Sequence, residues 1–162
     1  MKTINILIAL FISLFTISCN DNEYIAPDEL TDVLWYTSIF PGNANKVLVG
    51  KTVSFMDLSV NPLSHEWTIE DGNYYLKTGF QPSWGTDTLK QFINDKISLI
   101  NTDHTVHVLF LKEGQSKVRF RNTFSKPVTY KGTKPLKAVQ EGNVWVIDTT
   151  LVFEVTLPAV TP

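Results

Sequence analysis

The sequence predicts an all-β fold in which two sheets pack face to face, and two short segments carry this prediction. In residues 52–57, Val53 and Phe55 fall on one face and polar residues lie between them. In residues 65–70 the apolar positions, one of them Trp67, alternate with polar residues in the same way. Because successive side chains of a strand point to opposite faces, this period of two indicates strands with one buried face.

Turn-forming residues separate the two segments. Asn61-Pro62 lies between them and Asp71-Gly72 follows the second. Such residues favour turns because Pro fixes φ and Gly readily adopts positive φ. A single Trp in the middle of a strand, after a Val-x-Phe strand and a short loop, is typical of the core of immunoglobulin-like sandwiches. The predicted fold is therefore an immunoglobulin-like β-sandwich.

The same residues resemble the PKD (polycystic kidney disease) domain family, whose pattern is V-x-F-x-(A/D)-x-S followed by W-x-F-G-D-G. The matching positions are Val53, Phe55, Asp57, Ser59, Trp67, Asp71 and Gly72. Glu70 stands where the family usually has Gly. The resemblance covers roughly residues 46–123, and it implies a noncatalytic module of an extracellular protein.

The same alternation predicts the remaining strands of the sandwich domain, which we assign to residues 33–157. These further strands are residues 46–49, 73–77, 105–111, 115–123 and 143–157. Residues 33–38 are a strand candidate or a packed lead-in, and residues 127–130 are a candidate strand tip. Residues 131–141 are predicted to be a loop. A bulge or break is considered near Asp148 in the last strand.

Residues 78–104 form an insertion relative to a minimal PKD module. Apolar residues recur at helical spacing within residues 86–96, so a short helix is predicted there, with Thr86 or Asp87 as its N-cap. A segment of this length inside a compact domain is often functional or mobile. The insertion is therefore the first region to consider for ligand binding.

The N-terminus has the pattern of a secretion signal. Residues 1–18 combine a basic start with an apolar segment that is too short for a stable membrane span. The sequence T-I-S-C, which ends at Cys19, resembles a lipobox, where bacterial signal peptidase cleaves before a cysteine that becomes diacylated. Cys19 is therefore the predicted lipidation site. The alternative is an ordinary secretory peptide with an incidental cysteine.

Residues 19–32 are predicted to be a flexible tether because they are acidic and lack hydrophobic periodicity. The acidic cluster directly after Cys19 resembles the surface-export signal of Bacteroidota-type lipoproteins. The alternative is a polar tether that serves only solubility. Residues 158–162 are predicted to be a linker-like tail, as though another domain should follow.

Composition and motifs exclude several function classes. The net charge of −2 does not suggest a nucleic-acid surface. The single cysteine rules out an intramolecular disulfide. The sequence has no nucleophile motif of the G-x-S-x-G type. We therefore predict that the protein is not an enzyme and has no cofactor, with a small envelope hydrolase as a remote alternative.

No metal site is predicted. His104 and His107 are three positions apart in a strand, so their side chains point to opposite faces and cannot chelate one ion. Asp57, Asp71 and Asp103 could meet at one end of a sandwich and bind Ca²⁺, but the chain has no D-x-D-x-D-G loop.

Exposed aromatic rings are the remaining candidates for a ligand site, because sugar rings stack on Trp and Tyr. Trp84, Tyr74 and Tyr75 lie in or near the insertion and are the candidate ligand-binding residues. A stripe of basic residues on the predicted strand 115–123 is interpreted as a solvated face that prevents edge-to-edge association.

Together, the module and tether are similar to the N-terminal part of surface glycan-binding lipoproteins of the starch-utilisation type. This resemblance implies a lipid-anchored protein of the outer membrane, facing the cell surface, whose sandwich spaces a polysaccharide-capture system from the membrane. The expected partners are the membrane, through the lipid anchor, a polysaccharide and outer-membrane transport proteins. The alternative is that the domain itself binds carbohydrate through the aromatic residues of the insertion.

Overall fold

The computed structural model describes residues 32–39, 45–132 and 134–159. These residues belong to the second of the two compact units of the chain, Thr31–Pro162. The predicted signal peptide, the lipidation site Cys19 and nearly all of the tether lie outside the described residues. Within the described ranges, no helix has both the length and the apolar character that a membrane crossing requires.

The described residues form twelve strands and one short helix. In chain order the strands are β1 (Trp35–Thr37), β2 (Lys46–Leu48), β3 (Lys51–Asp57), β4 (Ser64–Ile69), β5 (Asn73–Tyr75), β6 (Ile100–Asn101), β7 (Thr105–Phe110), β8 (Gly114–Phe124), β9 (Thr129–Tyr130), β10 (Leu136–Lys137), β11 (Val139–Glu141) and β12 (Val144–Thr156). The helix, α1 (Thr86–Lys90), lies between β5 and β6.

The strands form two main sheets, which confirms the prediction of an all-β sandwich. One sheet has the order β1-β3-β7-β5, and the other has the order β11-β12-β8-β4-β6 with β2 pairing β12. Strand pairs are antiparallel except β2 with β12, which is parallel. Strands β9 and β10 form a separate two-stranded ribbon.

The inward-facing positions of the predicted alternation form the core. Phe55 of β3 and Trp67 of β4 are fully buried and come from opposite sheets, with their ring centroids 5.4 Å apart. Phe120 of β8 packs on the other side of Trp67 at 4.6 Å. Each such side chain stabilises the fold by about 1.5–3 kcal/mol through burial, so this aromatic cluster holds the two sheets together.

The outer face of the four-stranded sheet is covered as well. Leu109 of β7 points away from the main core, yet it is fully buried against Leu76 and Leu89. Leu89 belongs to α1, so the insertion supplies the cover. Strand β7 is consequently buried on both faces over its second half, whereas the alternation of the sequence predicts only one buried face.

Close backbone approach places α1 over the turn between β2 and β3. Gly50 in this turn has φ +80°, and a Cβ atom there would lie 2.0 Å from Thr86 Oγ1. Glycine is required here for two reasons: it adopts positive φ without strain, and any side chain would overlap Thr86. This contact positions the start of the helix.

The helix is shorter than predicted. It ends at Lys90 rather than near residue 96, and Gly85 occupies the N-cap position, so the predicted caps at Thr86 and Asp87 are wrong. The chain after Lys90 instead bonds to the segment around β5: Lys77 N–H donates to Phe92 O at 2.8 Å. These interstrand-type bonds replace the continuation of the helix.

The last strand is also more regular than the sequence suggests. Strand β12 pairs with β8 in one unbroken register from Trp145 to Val155, so no bulge divides it near Asp148. The reason is that Asp148 is paired across the strands with Arg119, whose Nε donates to Asp148 Oδ1 at 2.8 Å. The predicted loop at residues 131–141 contains β10 and β11.

Candidate functional site

The three aromatic residues predicted to bind a ligand do not form one exposed face. Tyr75 is 1% exposed, and its hydroxyl donates to the Trp67 carbonyl oxygen at 2.8 Å. Burial, reinforced by the nearby Glu66 carboxylate, raises the pKa of Tyr75. Tyr74 points the opposite way and is 41% exposed. The ring of Tyr75 is thus part of the core and presents no face to a ligand.

Trp84 is half-buried in the small core beneath the insertion. Its ring lies 5.4 Å from that of Phe92, tilted by 45°. Leu109 and Leu89 form the buried centre of the same cluster. The main contribution of Trp84 in this arrangement is to pack the insertion against the sheet.

A groove of about 630 Å³ lies elsewhere on the domain, next to the ribbon of β9 and β10. Trp35 and Tyr130 line it and stack on each other with ring centroids 3.9 Å apart. Lys134 and Thr150 also line the groove and add polar groups. A stacked aromatic pair beside hydrogen-bonding groups can accommodate a sugar ring.

The basic stripe on β8 is neutralised by carboxylates of neighbouring strands. Arg119 pairs with Asp148, Arg121 with Glu141 at 2.9 Å, and Lys117 lies 3.9 Å from a Glu70 oxygen. The guanidinium of Arg119 lowers the pKa of Asp148, mainly through their hydrogen bond. Such partly exposed ion pairs are typical of a solvated sheet face, which is how the sequence analysis interprets the stripe.

His107 faces the insertion on the outer side of β7. Its Nδ1 lies 2.8 Å from Ser54 Oγ, and Phe80 contacts the ring edge-on at 5.1 Å. Burial lowers the pKa of His107, so the neutral ring is favoured. Nδ1 and the Ser54 hydroxyl share one hydrogen bond, in which either group can donate.

A polar cluster closes one end of the main core. Asp57, the last residue of β3, has a fully buried side chain. Its Oδ1 accepts from Ser59 N–H at 2.9 Å, and its Oδ2 accepts from Asn122 Nδ2 at 2.9 Å. Buried carboxylates are stable only when they are paired and hydrogen-bonded, and this one has partners on both oxygens.

Two histidines complete the cluster. His65 of β4 places Nδ1 3.2 Å from Asp57 Oδ2, while its Nε2 contacts the Thr102 carbonyl oxygen. His104, directly before β7, places Nδ1 4.0 Å from the same Asp57 oxygen. The two imidazole rings are in contact, with centroids 4.0 Å apart. One donor atom from each of Asp57, His65 and His104 lies within 4.8 Å of the others.

His104 and His107 contact different residues: His107 lies against Ser54 and Phe80, whereas His104 lies against His65. The sequence analysis missed the pairing of His65 with His104, which are 39 positions apart in the chain. The alternation of the two strands could have indicated this meeting. His65 is on the same strand face as the buried Trp67, and Asp57 is on the same strand face as the buried Phe55.

The three aspartates that the sequence analysis considered for Ca²⁺ do not meet. Asp71 follows β4, whereas His65 and Asp57 lie at the other end of that strand, roughly 20 Å away at 3.3 Å per residue. Asp103 is next to His104, but it is not one of the three clustered donors.

The two packed sheets define this chain as an all-β sandwich protein. No protein-family model, curated protein or solved structure matches it.

Proposed function

We propose that this chain is a noncatalytic, lipid-anchored module of the cell envelope whose sandwich spaces a polysaccharide-capture system from the outer membrane. The observation that supports this proposal is the scattering of the candidate aromatic residues. Tyr75 is buried, Tyr74 points away from it, and Trp84 packs the insertion. A spacer needs no displayed aromatic platform in the insertion, and these three described residues do not form one.

The PKD-like pattern adds support from its positions in the sandwich. Val53, Phe55 and Trp67 all lie in the core. Asp57 and Ser59 of the same pattern form a local turn bond at the end of β3. The cell-surface location rests on the sequence alone, through the lipobox-like segment and the acidic residues after Cys19.

The anchor is tested by expressing the full chain in a bacterium with lipoprotein processing. We expect a mature form that begins at Cys19, carries a diacylglyceryl group by mass spectrometry and fractionates with the outer membrane. Cys19→Ala should abolish the modification and release the chain from the membrane. An unmodified Cys19 in a normally exported chain would refute the anchor.

The spacer role is tested by affinity electrophoresis of the full chain in detergent against a panel of polysaccharides. A spacer is not retarded by any of them. Retardation would refute the spacer role and favour a second candidate function, direct carbohydrate binding.

The observation that favours the second candidate is the groove with the stacked Trp35 and Tyr130. Tyr130→Ala and Trp84→Ala separate the two locations at which a sugar ring could stack. Loss of retardation only in Tyr130→Ala would assign binding to the groove, and loss only in Trp84→Ala would assign it to the insertion.

A further inference from the structure

Both ring nitrogens of His65 face oxygen atoms. Its Nε2 contacts the Thr102 carbonyl oxygen, and because a carbonyl oxygen only accepts hydrogen bonds, Nε2 is the nitrogen suited to donate. The other nitrogen, Nδ1, is then available to a metal ion, and it lies 3.2 Å from the carboxylate oxygen Asp57 Oδ2.

His104 brings a third donor to the same place. Its Nδ1 faces the same Asp57 oxygen at 4.0 Å, which is too long for a hydrogen bond. Its ring is in contact with that of His65, with centroids 4.0 Å apart. One ion can therefore be shared by the two imidazole nitrogens and the carboxylate oxygen.

The spacing of the donors fits a small tetrahedral ion. Bonds of ~2.0–2.1 Å at tetrahedral angles put neighbouring donors roughly 3.3 Å apart. The separation of 3.2 Å between His65 Nδ1 and Asp57 Oδ2 matches this value. The separation of 4.0 Å to His104 Nδ1 needs only a small movement of a side chain that is 67% exposed.

Surrounding groups orient the donors as they do around known metal ligands. The Thr102 carbonyl holds the non-ligating nitrogen of His65, which fixes the tautomer that leaves Nδ1 free to bind. Ser59 N–H and Asn122 Nδ2 hold the Asp57 carboxylate. These partners are separate from the three donors, so Asp57 and His65 are positioned before any ion arrives.

We propose that Asp57, His65 and His104 bind one divalent transition-metal ion of the Zn²⁺ class. Two imidazole nitrogens favour Zn²⁺ and similar ions over Ca²⁺ and Mg²⁺, which prefer oxygen ligands. The exposure of His104 leaves a fourth position for water or for a donor from a partner. Because Asp57 and His65 belong to different sheets, the ion fastens the two sheets to the segment before β7. This inference is independent of the lipid anchor and of carbohydrate binding.

The test is a titration of the full chain, purified in detergent without a histidine tag and stripped with a chelator, with ZnCl₂. Isothermal titration calorimetry should give one equivalent of Zn²⁺, and the melting temperature should rise with it. Co²⁺ should give the visible absorption of a four-coordinate site. Wild-type protein that binds no Zn²⁺ saturably would overturn the proposal.

The variants identify the ligands. His104→Ala removes an exposed side chain and should weaken Zn²⁺ binding by at least about 100-fold. Loss of a residue that only supports a ligand costs up to about 100-fold, so a larger loss indicates a ligand. Asp57→Asn should weaken it similarly. The matched control is His107→Gln, which changes the chain's third histidine and should leave the affinity unchanged. Wild-type affinity in His104→Ala, or equal loss in His107→Gln, would overturn the assignment.

Discussion

Replacing Tyr75 with Phe tests whether its buried hydroxyl stabilises the fold. The change deletes only the hydroxyl that donates to the Trp67 carbonyl at 2.8 Å. A net hydrogen bond is worth about 0.5–1.5 kcal/mol, and leaving a buried acceptor without its partner costs about 1–3 kcal/mol. We therefore expect Tyr75→Phe to lower the free energy of unfolding by about 1–2 kcal/mol at pH 7.

The pH dependence of this difference gives a second, independent expectation. Burial raises the pKa of Tyr75 above its ordinary value of 10.0. A raised folded-state pKa contributes stability that is complete below pH 10 and is lost as pH rises, because the unfolded chain ionises first. At pH 11 the wild type should have lost about 1.4 kcal/mol through this group. Phe cannot ionise, so the gap between the two proteins should nearly close.

The assay is urea unfolding followed by circular dichroism at several pH values between 7 and 11. Tyr74→Phe is the matched control, because Tyr74 is the adjacent tyrosine and is exposed. It should change the free energy of unfolding by less than about 0.5 kcal/mol. Equal effects of the two substitutions, or a Tyr75→Phe difference that stays constant up to pH 11, would refute the reasoning.

Three further predictions concern Leu109, which packs beneath the insertion, and Asp148 and His107, whose pKa values are lowered. Leu109→Ala should cost about 2–5 kcal/mol in urea unfolding because Leu109 is fully buried, whereas Leu63→Ala at an exposed site should cost under about 1 kcal/mol. Asp148→Asn should cost about 0.5–1 kcal/mol above pH 4, since its ion pair with Arg119 is partly exposed. Its lowered pKa means that the wild type loses this advantage as pH falls below 3.8, which acid unfolding midpoints would detect. The lowered pKa of His107 means that acidification below pH 6.5 destabilises the wild type. His107→Gln should therefore make the melting temperature, measured without metal, fall less steeply as the pH is lowered. The same pH dependence in both proteins would contradict this prediction.

The sandwich could be predicted from the sequence because each strand carries its own alternation. Trp67 sits among polar neighbours, so its burial follows from the local period of two, and the structure gives it no exposed surface. Such features depend on nearest neighbours along the chain, which a sequence records directly.

The cover over the four-stranded sheet could not be predicted in this way. Leu109 falls on the predicted outer face of β7, and nothing in its neighbourhood shows that Leu89 arrives there from the insertion. The length of α1 could not be predicted for the same reason. The residues after Lys90 hydrogen-bond to the distant segment around β5, although their apolar spacing is helical.

The sequence by itself determined the class of the fold and the central tryptophan, because side-chain alternation is a local property of a strand. Only the tertiary structure decided that His65 meets His104 at Asp57. That meeting depends on how two sheets pack and where their strands begin and end. Residues 57, 65 and 104 acquire a shared chemistry only when the end of β3 and the starts of β4 and β7 coincide in space.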